Sequence, residues 1–208
     1  MFLSEDEIRE KSAELFDDGY DPEFVKQACY DLRIGNEVFL PEKQVPTLLD
    51  LEEPYVILPP GQFALIKTFE KVYVPAAYVA FISVRSRFKF QGLINISGFH
   101  VDPTYRGHLI FAVQNVGPND IRLQYKESAF MIMWAKLQPP YKGRPRPEGY
   151  EHITLEQMAQ LGGPSITLAK LNRKVESLDL ALKIYGGFAI AAFLAMLGLL
   201  LKMIFNGR

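Results

Sequence analysis

Short apolar runs broken by turn-forming residues fill the first two thirds of the chain. The runs are rich in β-branched and aromatic residues, and helical spacing does not fit them. They predict strands over residues 30–40, 56–58, 62–67, 71–74, 78–84, 93–96, 109–113 and 128–136. Many short strands with turns between them indicate a mainly β domain of jelly-roll type, with a closed or double-layered sheet.

A helix is predicted before the first strand, over residues 1–20. Ser4 and Glu7 have the spacing of a capping box, and Ile8 contributes to an apolar face. Gly19 is placed to end the helix. The segment has no basic start followed by an apolar run, so it does not resemble a secretory signal.

The composition changes after the β-domain, which is predicted to span residues 1–138. Residues 139–147 contain four prolines and three basic residues, a composition typical of an extended linker. The linker segment, residues 139–165, also includes a short predicted helix at 154–161. The sequence Gly162-Gly163-Pro164 is placed to end that helix.

A heptad pattern follows in residues 166–183. Its a positions are Leu168, Val175 and Leu182. The pattern favours a coiled coil. A simple amphipathic helix is the alternative, because the pattern is shorter than three to four heptads.

The heptads continue without a break into an apolar segment, residues 184–205. Residues 184–201 carry no charge, and as a helix these 18 residues extend about 27 Å, close to the thickness of a bilayer's hydrocarbon core. Lys183 and Lys202 flank the run, and the Lys202 ammonium group can reach the interface. The segment predicts one membrane-spanning helix, with a buried core helix as the alternative.

Charge, cysteine and histidine content narrow the function classes. The net charge is -1 and no basic stripe is present, which argues against a nucleic-acid partner. Cys29 is the single cysteine, so an intramolecular disulfide is impossible and a reducing compartment is the simplest setting. His100 and His108 lack the ligand spacing of a metal site.

Candidate chemistry concentrates in a turn at residues 102–107, Asp-Pro-Thr-Tyr-Arg-Gly. Pro103 fixes its own φ, and Gly107 can adopt a positive φ. A carboxylate at Asp102 is well placed to face a pocket. The alternative is that Asp102 only caps the turn through its side chain.

A second candidate is the basic cluster at residues 85–89, Arg-Ser-Arg-Phe-Lys. Backbone amides, a hydroxyl and cations in one loop suit a triphosphate, because each can donate a charge-assisted hydrogen bond. The alternative is a solvated loop beside a strand.

Four ordered segments resemble the dUTPase and dCTP deaminase superfamily, in its deaminase-like branch. VDPTYRG at 101–107 is similar to the third motif of the superfamily, and ACYDLRIG at 28–35 is similar to SYDLRLG. LPPGQF at 58–63 is similar to the PGEF strand entry. Val84-Arg85-Ser86 followed by Gly92-Leu93 is similar to GRSSLARLGL. The resemblance covers about residues 1–136.

The resemblance implies the jelly-roll-type fold of the superfamily and a homotrimer with active sites between subunits. It implies that Arg85 and Ser86 contact nucleotide phosphates. It also implies that Asp102 orients an attacking water and that Tyr105 packs against the sugar. Mg²⁺ is implied as an ion bound with the phosphates, and no residue is assigned as a protein metal ligand.

Three positions depart from the family pattern. Phe90 stands where the deaminases have an arginine, and Ala112 stands where they have the catalytic glutamate. Met131 stands where the fourth motif usually carries a glutamine. Because neither phenylalanine nor alanine can transfer the protons that cytosine deamination requires, deamination is not expected.

The sequence therefore predicts a membrane-anchored, trimeric protein whose cytoplasmic domain recognises a pyrimidine deoxynucleotide or a related nucleotide as a sensor or effector. One alternative is a membrane-tethered dUTPase-type hydrolase that uses Asp102. The other is a scaffold that binds no nucleotide.

Overall fold

The computed structural model describes residues 1–43, 45–145, 148–161 and 168–206. The chain divides into two compact units, Met1–Ser165 and Ile166–Arg208. The described part of the first unit holds all the strands, and that of the second is one long helix.

The strands are β1 (Phe16–Asp18), β2 (Val25–Lys26), β3 (Cys29–Phe39), β4 (Thr47–Leu48), β5 (Tyr55–Leu58), β6 (Phe63–Tyr73), β7 (Tyr78–Val84), β8 (Leu93–Asn95), β9 (His100–Val101), β10 (Arg106–Asn115), β11 (Ile121–Gln124) and β12 (Ser128–Lys136). The helices are α1 (Glu5–Glu10), α2 (Ser12–Leu15), α3 (Ser86–Lys89), α4 (Leu155–Leu161) and α5 (Leu168–Asn206).

A curled antiparallel sheet forms the β-domain. Its main path runs β8-β10-β6-β3-β12-β7-β9, with β1, β2 and β4 added at its sides, and β5 and β11 pair separately. The first part of β3 pairs with β12, and the later part pairs with β6. The strand thus passes from one layer to the other, which confirms the predicted mainly β fold.

The core lies between the two layers. Phe111 of β10 stacks on Phe130 of β12 with 3.8 Å between ring centroids. Both side chains are fully buried. Because burying each aromatic ring contributes about 1.5–3 kcal/mol, this pair is a principal link between the layers.

The N-terminal helix is shorter than predicted. The capping box of Ser4 and Glu7 is present as expected. However, the helical region ends at Leu15, and Phe16–Asp18 pairs with β6. Phe16 is buried against core aromatics, so packing on the sheet takes precedence over a continued helix.

Two predicted strands, 62–67 and 71–74, are one strand in the structure. Thr68 and Glu70 lie between them and are buried, and the Thr68 hydroxyl donates to the Glu70 carbonyl at 2.9 Å. Because these polar groups find partners inside the domain, β6 continues through them. The predicted strands 78–84 and 128–136 match β7 and β12.

The second unit contains the predicted apolar helix. Of the described helices, only this one has a stretch, Leu171–Lys202, that is long and apolar enough to cross a membrane. None of its most apolar window is buried within the chain, which argues against a buried core helix. The heptad seam stays a prediction, and the Gly162-Gly163-Pro164 stop lies outside the described residues.

Candidate functional site

The predicted turn at 102–107 borders a cavity of about 190 Å³. Its walls include His100, Asp102, Tyr105, Ile110 and Tyr150. The first three come from the turn and from β9 just before it, whereas Tyr150 comes from beyond the β-strands. The structure thus brings Asp102 and Tyr105 to one cavity.

The turn is held by backbone hydrogen bonds. The Thr104 amide donates to the Val74 carbonyl at 2.7 Å, and Thr104 adopts a φ of 68°. Asp102 Oδ1 lies 3.4 Å from His100 Nε2, and the Asp102 side chain is 34% exposed. The Asp102 carboxylate therefore sits at the cavity wall with access to solvent.

Tyr105 is largely covered by the chain itself. Its hydroxyl donates to the His108 carbonyl, and only 8% of the residue is exposed. The His108 ring nitrogen Nδ1 lies 3.1 Å from the Glu70 carbonyl oxygen. Burial lowers the pKa of His108, and the nearby Lys67 charge acts in the same direction, so the imidazole is neutral at pH 7.

Residues 148–161, which we call the strap, run along β10 beside this turn. The Gly149 amide donates to the Arg106 carbonyl at 2.6 Å, and the His108 amide donates to the Tyr150 carbonyl at 3.0 Å. Gly107, at φ 150°, has no room for a side chain, because a Cβ there would lie 2.9 Å from the Gly149 backbone. Glycine at this position allows the strap to approach.

Ala112 lies under the strap. It faces away from the Phe111 core and packs with a cluster that contains Leu65 of β6 and the strap residues Ile153 and Met158. Ile153 is 4% exposed and Met158 is 8% exposed. The position where the resemblance expects a catalytic glutamate is therefore part of an apolar contact.

A buried carboxylate fixes the same strap. Glu37 Oε1 lies 2.6 Å from Lys67 Nζ and 2.6 Å from His152 Nδ1, while Oε2 accepts from the Ile153 amide at 3.0 Å. Burial alone would raise the pKa of Glu37. The hydrogen bonds from Lys67, Ile153 and His152 outweigh burial and hold this pKa below its usual range.

Arg85 and Ser86, the predicted phosphate contacts, do not line the Asp102 cavity. Arg85 immediately precedes α3. Its Nη1 forms an ion pair with Oδ2 of the buried Asp31 at 2.9 Å, but the angles at the two atoms do not make it a hydrogen bond. Burial raises the pKa of Asp31, and the Arg85 charge opposes that effect. Ser86 is exposed. Within one chain the two predicted parts of the site are separate.

The remaining divergent positions also lie away from the Asp102 cavity. Phe90 is 89% exposed after α3. Met131 lies on β12, opposite Asp31 of β3 and Ser83 of β7. A larger cavity of about 540 Å³ lies between β7, α3 and β8, with Lys89 in its wall. Lys89 belongs to the predicted basic cluster at residues 85–89, but Arg85, Ser86, Asp102 and Tyr105 do not line this cavity.

Tyr150 and His152 of the strap were not predicted as site residues, and neither was Glu37, which contacts His152. The sequence carries no local signal for them, since His152 and Glu37 are 115 residues apart. In the part of the chain that the structure describes, no group of three or more His, Cys, Asp or Glu side chains could hold a metal ion.

Comparison with known proteins agrees with this geometry. Residues 2–136 match the family model for the dCTP deaminase-like domain. The dCTP deaminase of Pyrococcus abyssi is 30% identical over 160 residues, which cover 76% of this chain and 99% of the relative. The dUMP-forming dCTP deaminase of Aquifex aeolicus is 30% identical over 152 residues, covering 67% and 84%.

A solved structure shows the same fold. The 2'-deoxycytidine 5'-triphosphate deaminase of Agrobacterium tumefaciens superposes with a TM-score of 0.51 at 18% identity. The superposition covers 64% of this chain and 48% of that one, so this chain spans about half the length of that deaminase. The fold and the turn motif define a member of the dCTP deaminase and dUTPase superfamily. Within it, the chain belongs to the dCTP deaminase-like family.

Proposed function

We propose that this chain is a membrane-anchored nucleotide sensor that recognises a pyrimidine deoxynucleotide and does not deaminate it. Family membership supports the ligand class, since the named relatives are dCTP deaminases. The Asp102 cavity supports the location, because it combines a carboxylate with apolar and aromatic walls.

The observation that carries the proposal is the environment of Ala112. A methyl group packed against Ile153 and Met158 can neither accept nor donate a proton. General acid-base catalysis contributes roughly 10²- to 10⁴-fold to a rate, so its loss leaves little deamination. Phe90, at another divergent position, cannot transfer protons in its place.

One observation favours a second candidate function, dUTPase-type hydrolysis. Asp102 is on the cavity wall beside Tyr105, as a water-orienting carboxylate would require. In that case Mg²⁺ would enter with the nucleotide phosphates. Removing it with a chelator would abolish pyrophosphate release.

Membrane attachment and assembly complete the proposal. The apolar stretch Leu171–Lys202 supports a membrane span, and the proposal places the β-domain in the cytoplasm. The separation of Arg85 and Ser86 from the Asp102 cavity supports a site shared between subunits, and the family resemblance implies three of them. One subunit's Arg85 and Ser86 would then complete the cavity of the next. Three such helices in a membrane could change their packing when nucleotide binds.

The test uses the full chain in detergent micelles. dUTP, dCTP and their ribonucleotide counterparts are added with Mg²⁺, and thermal stability is followed together with ammonia and pyrophosphate release. A ligand at 100 times its dissociation constant adds roughly 2.7 kcal/mol of stability. We expect stabilisation by a pyrimidine deoxynucleotide without either product.

Two variants sharpen the result. Asp102→Asn should weaken the stabilisation, whereas Asp120→Asn, which changes an exposed carboxylate on another turn, should leave it intact. Product release that disappears in Asp102→Asn alone would make the protein an enzyme and overturn the sensor proposal. No stabilisation by any nucleotide would indicate a scaffold.

A further inference from the structure

The cavity beside Asp102 is too small for the ligand class proposed above. Ligand pockets usually measure about 300–1,000 Å³, whereas this cavity measures about 190 Å³. A nucleoside triphosphate therefore needs space beyond the cavity of one chain. In the proposed homotrimer the next subunit holds the phosphates, so the remaining space must come from this chain's own cavity wall. One wall of the cavity, Tyr150, belongs to the strap, and the other named walls belong to the sheet and its turn.

The strap is attached at three successive places. Its first residues pair with β10 through Gly149 and Tyr150. Its middle is held by Glu37, which contacts His152 and the Ile153 amide. Its end, the helix α4, places Met158 on the apolar face that contains Ala112.

The attachment differs from that of the domain core. Ile153 and Met158 belong to a small cluster separate from the main core between the layers. Releasing the strap would thus expose one outer face of β6 and β10 and leave the main core packed. The contact consists of two apolar anchors, the Glu37–His152 contact, the Lys71–Glu151 ion pair at 2.6 Å and a bond from Lys67 Nζ to the Glu151 carbonyl at 3.0 Å. The His152 and Glu151 side chains are largely exposed, so the contact suits a reversible element.

We propose that the strap is an autoinhibitory gate, which covers the outer face of β10 at Ile110 and Ala112 and must detach before a nucleotide can enter the Asp102 cavity. This inference rests on the proposed nucleotide function. Glu37 fixes the strap to the sheet, because its carboxylate contacts Lys67 of the sheet and both His152 and Ile153 of the strap.

The experiment releases the strap in the full chain in detergent micelles. Ile153→Asp places a carboxylate in the apolar cluster, and Met158→Asp does so from α4. Leu155→Asp is the matched control, since Leu155 lies in the same strap but is 80% exposed. Hydrogen exchange of residues 149–158 reports release, exchange of β10 and β12 reports the intact domain, and titration with dUTP and dCTP reports binding.

We expect both cluster variants to exchange faster over 149–158 and to bind the preferred nucleotide at least tenfold more tightly than the wild type. Leu155→Asp should match the wild type in both respects. Faster exchange with unchanged affinity would overturn the gate and leave nucleotide recognition standing. Faster exchange with no binding in any variant would overturn both proposals. Unchanged exchange in both cluster variants would show that these residues do not hold the strap, which also overturns the gate.

Discussion

Arg33 and Glu70 form an ion pair inside the β-domain. Arg33 Nε lies 2.7 Å from Glu70 Oε1, and the Arg33 amide donates to Oε2 at 2.9 Å. The Glu70 side chain is fully buried, and burial raises its pKa while the Arg33 charge opposes that rise. The Arg33 guanidinium also lies over the rings of Phe24 and Phe69. The arginine of the ACYDLRIG segment thus has a structural role.

Removing this arginine should strongly destabilise the domain. Arg33→Met leaves the Glu70 carboxylate buried without its cation, and such losses cost about 3–5 kcal/mol. Arg9→Met is the control, because the Arg9–Glu5 pair is exposed and worth under about 1 kcal/mol. Urea unfolding of both variants measures the difference. Equal shifts would contradict this role for the buried pair.

The role of a single residue could be predicted from its chemical type and its motif, but its tertiary contacts could not. The loss of a proton-transferring group at Ala112 is visible in the sequence, because alanine has no such group. Its packing under Ile153 and Met158 is not visible, since those contacts join distant parts of the chain. The same applies to Tyr150, which reaches the Asp102 cavity from outside the matched family region.

Among the elements, the strap should respond to pH through Glu37. The pKa of Glu37 is held below its usual range in the attached state, so attachment is stabilised at pH values above the ordinary glutamate pKa, about 4.3. This stabilisation is lost as the pH falls through the lower value of the attached state. Lys67 and His152 are the titratable groups that contact the carboxylate.

Hydrogen-exchange protection factors of the strap amides test this directly. The Ile153 amide, which donates to Glu37, should lose protection as the pH is lowered from 6 to 3. In Glu37→Gln, protection should be weaker at pH 6 and should fall less than in the wild type, because glutamine does not titrate. The remaining change comes from Glu151, whose pKa is lowered by its ion pair with Lys71. A wild-type profile that stays flat would show that Glu37 does not fix the strap.

Helices and strands with strong local patterns could be predicted from the sequence, whereas the docking of the strap on the sheet could not. The helix predicted at 154–161 is present as α4, and the Gln157 amide donates to the Thr154 hydroxyl at 3.2 Å. Its docking on the sheet depends on contacts of Met158 with Phe39 and Leu65, which lie far away in the sequence. The predicted break between 67 and 71 was wrong, because tertiary hydrogen bonds satisfy Thr68 and Glu70. The Thr68 hydroxyl accepts from the Leu109 amide, and the Glu70 carboxylate accepts from the Arg33 amide.

The whole molecule combines the β-domain with a helix whose uncharged run, 184–201, can be read directly from the sequence. We expect the full chain to remain with membranes in alkaline carbonate and to require detergent for extraction. Two lysines within the run, Phe193→Lys with Leu197→Lys, should release it, because each charge at a helix centre costs about 2.5–3.5 kcal/mol on insertion. Leu178→Lys, in the charged half of the helix, should leave the chain in the membrane. Release of the wild type would contradict a membrane span.

In the proposed function, a pyrimidine deoxynucleotide binds beside Asp102 and detaches the strap without being converted. The most direct measurement is hydrogen exchange of the full chain in detergent micelles, with and without saturating dUTP or dCTP and Mg²⁺, while ammonia and pyrophosphate are assayed in the same samples. We expect slower exchange around residues 100–106, faster exchange over 149–158, and no product. Unchanged exchange in both segments, or product that accumulates with time, would contradict it.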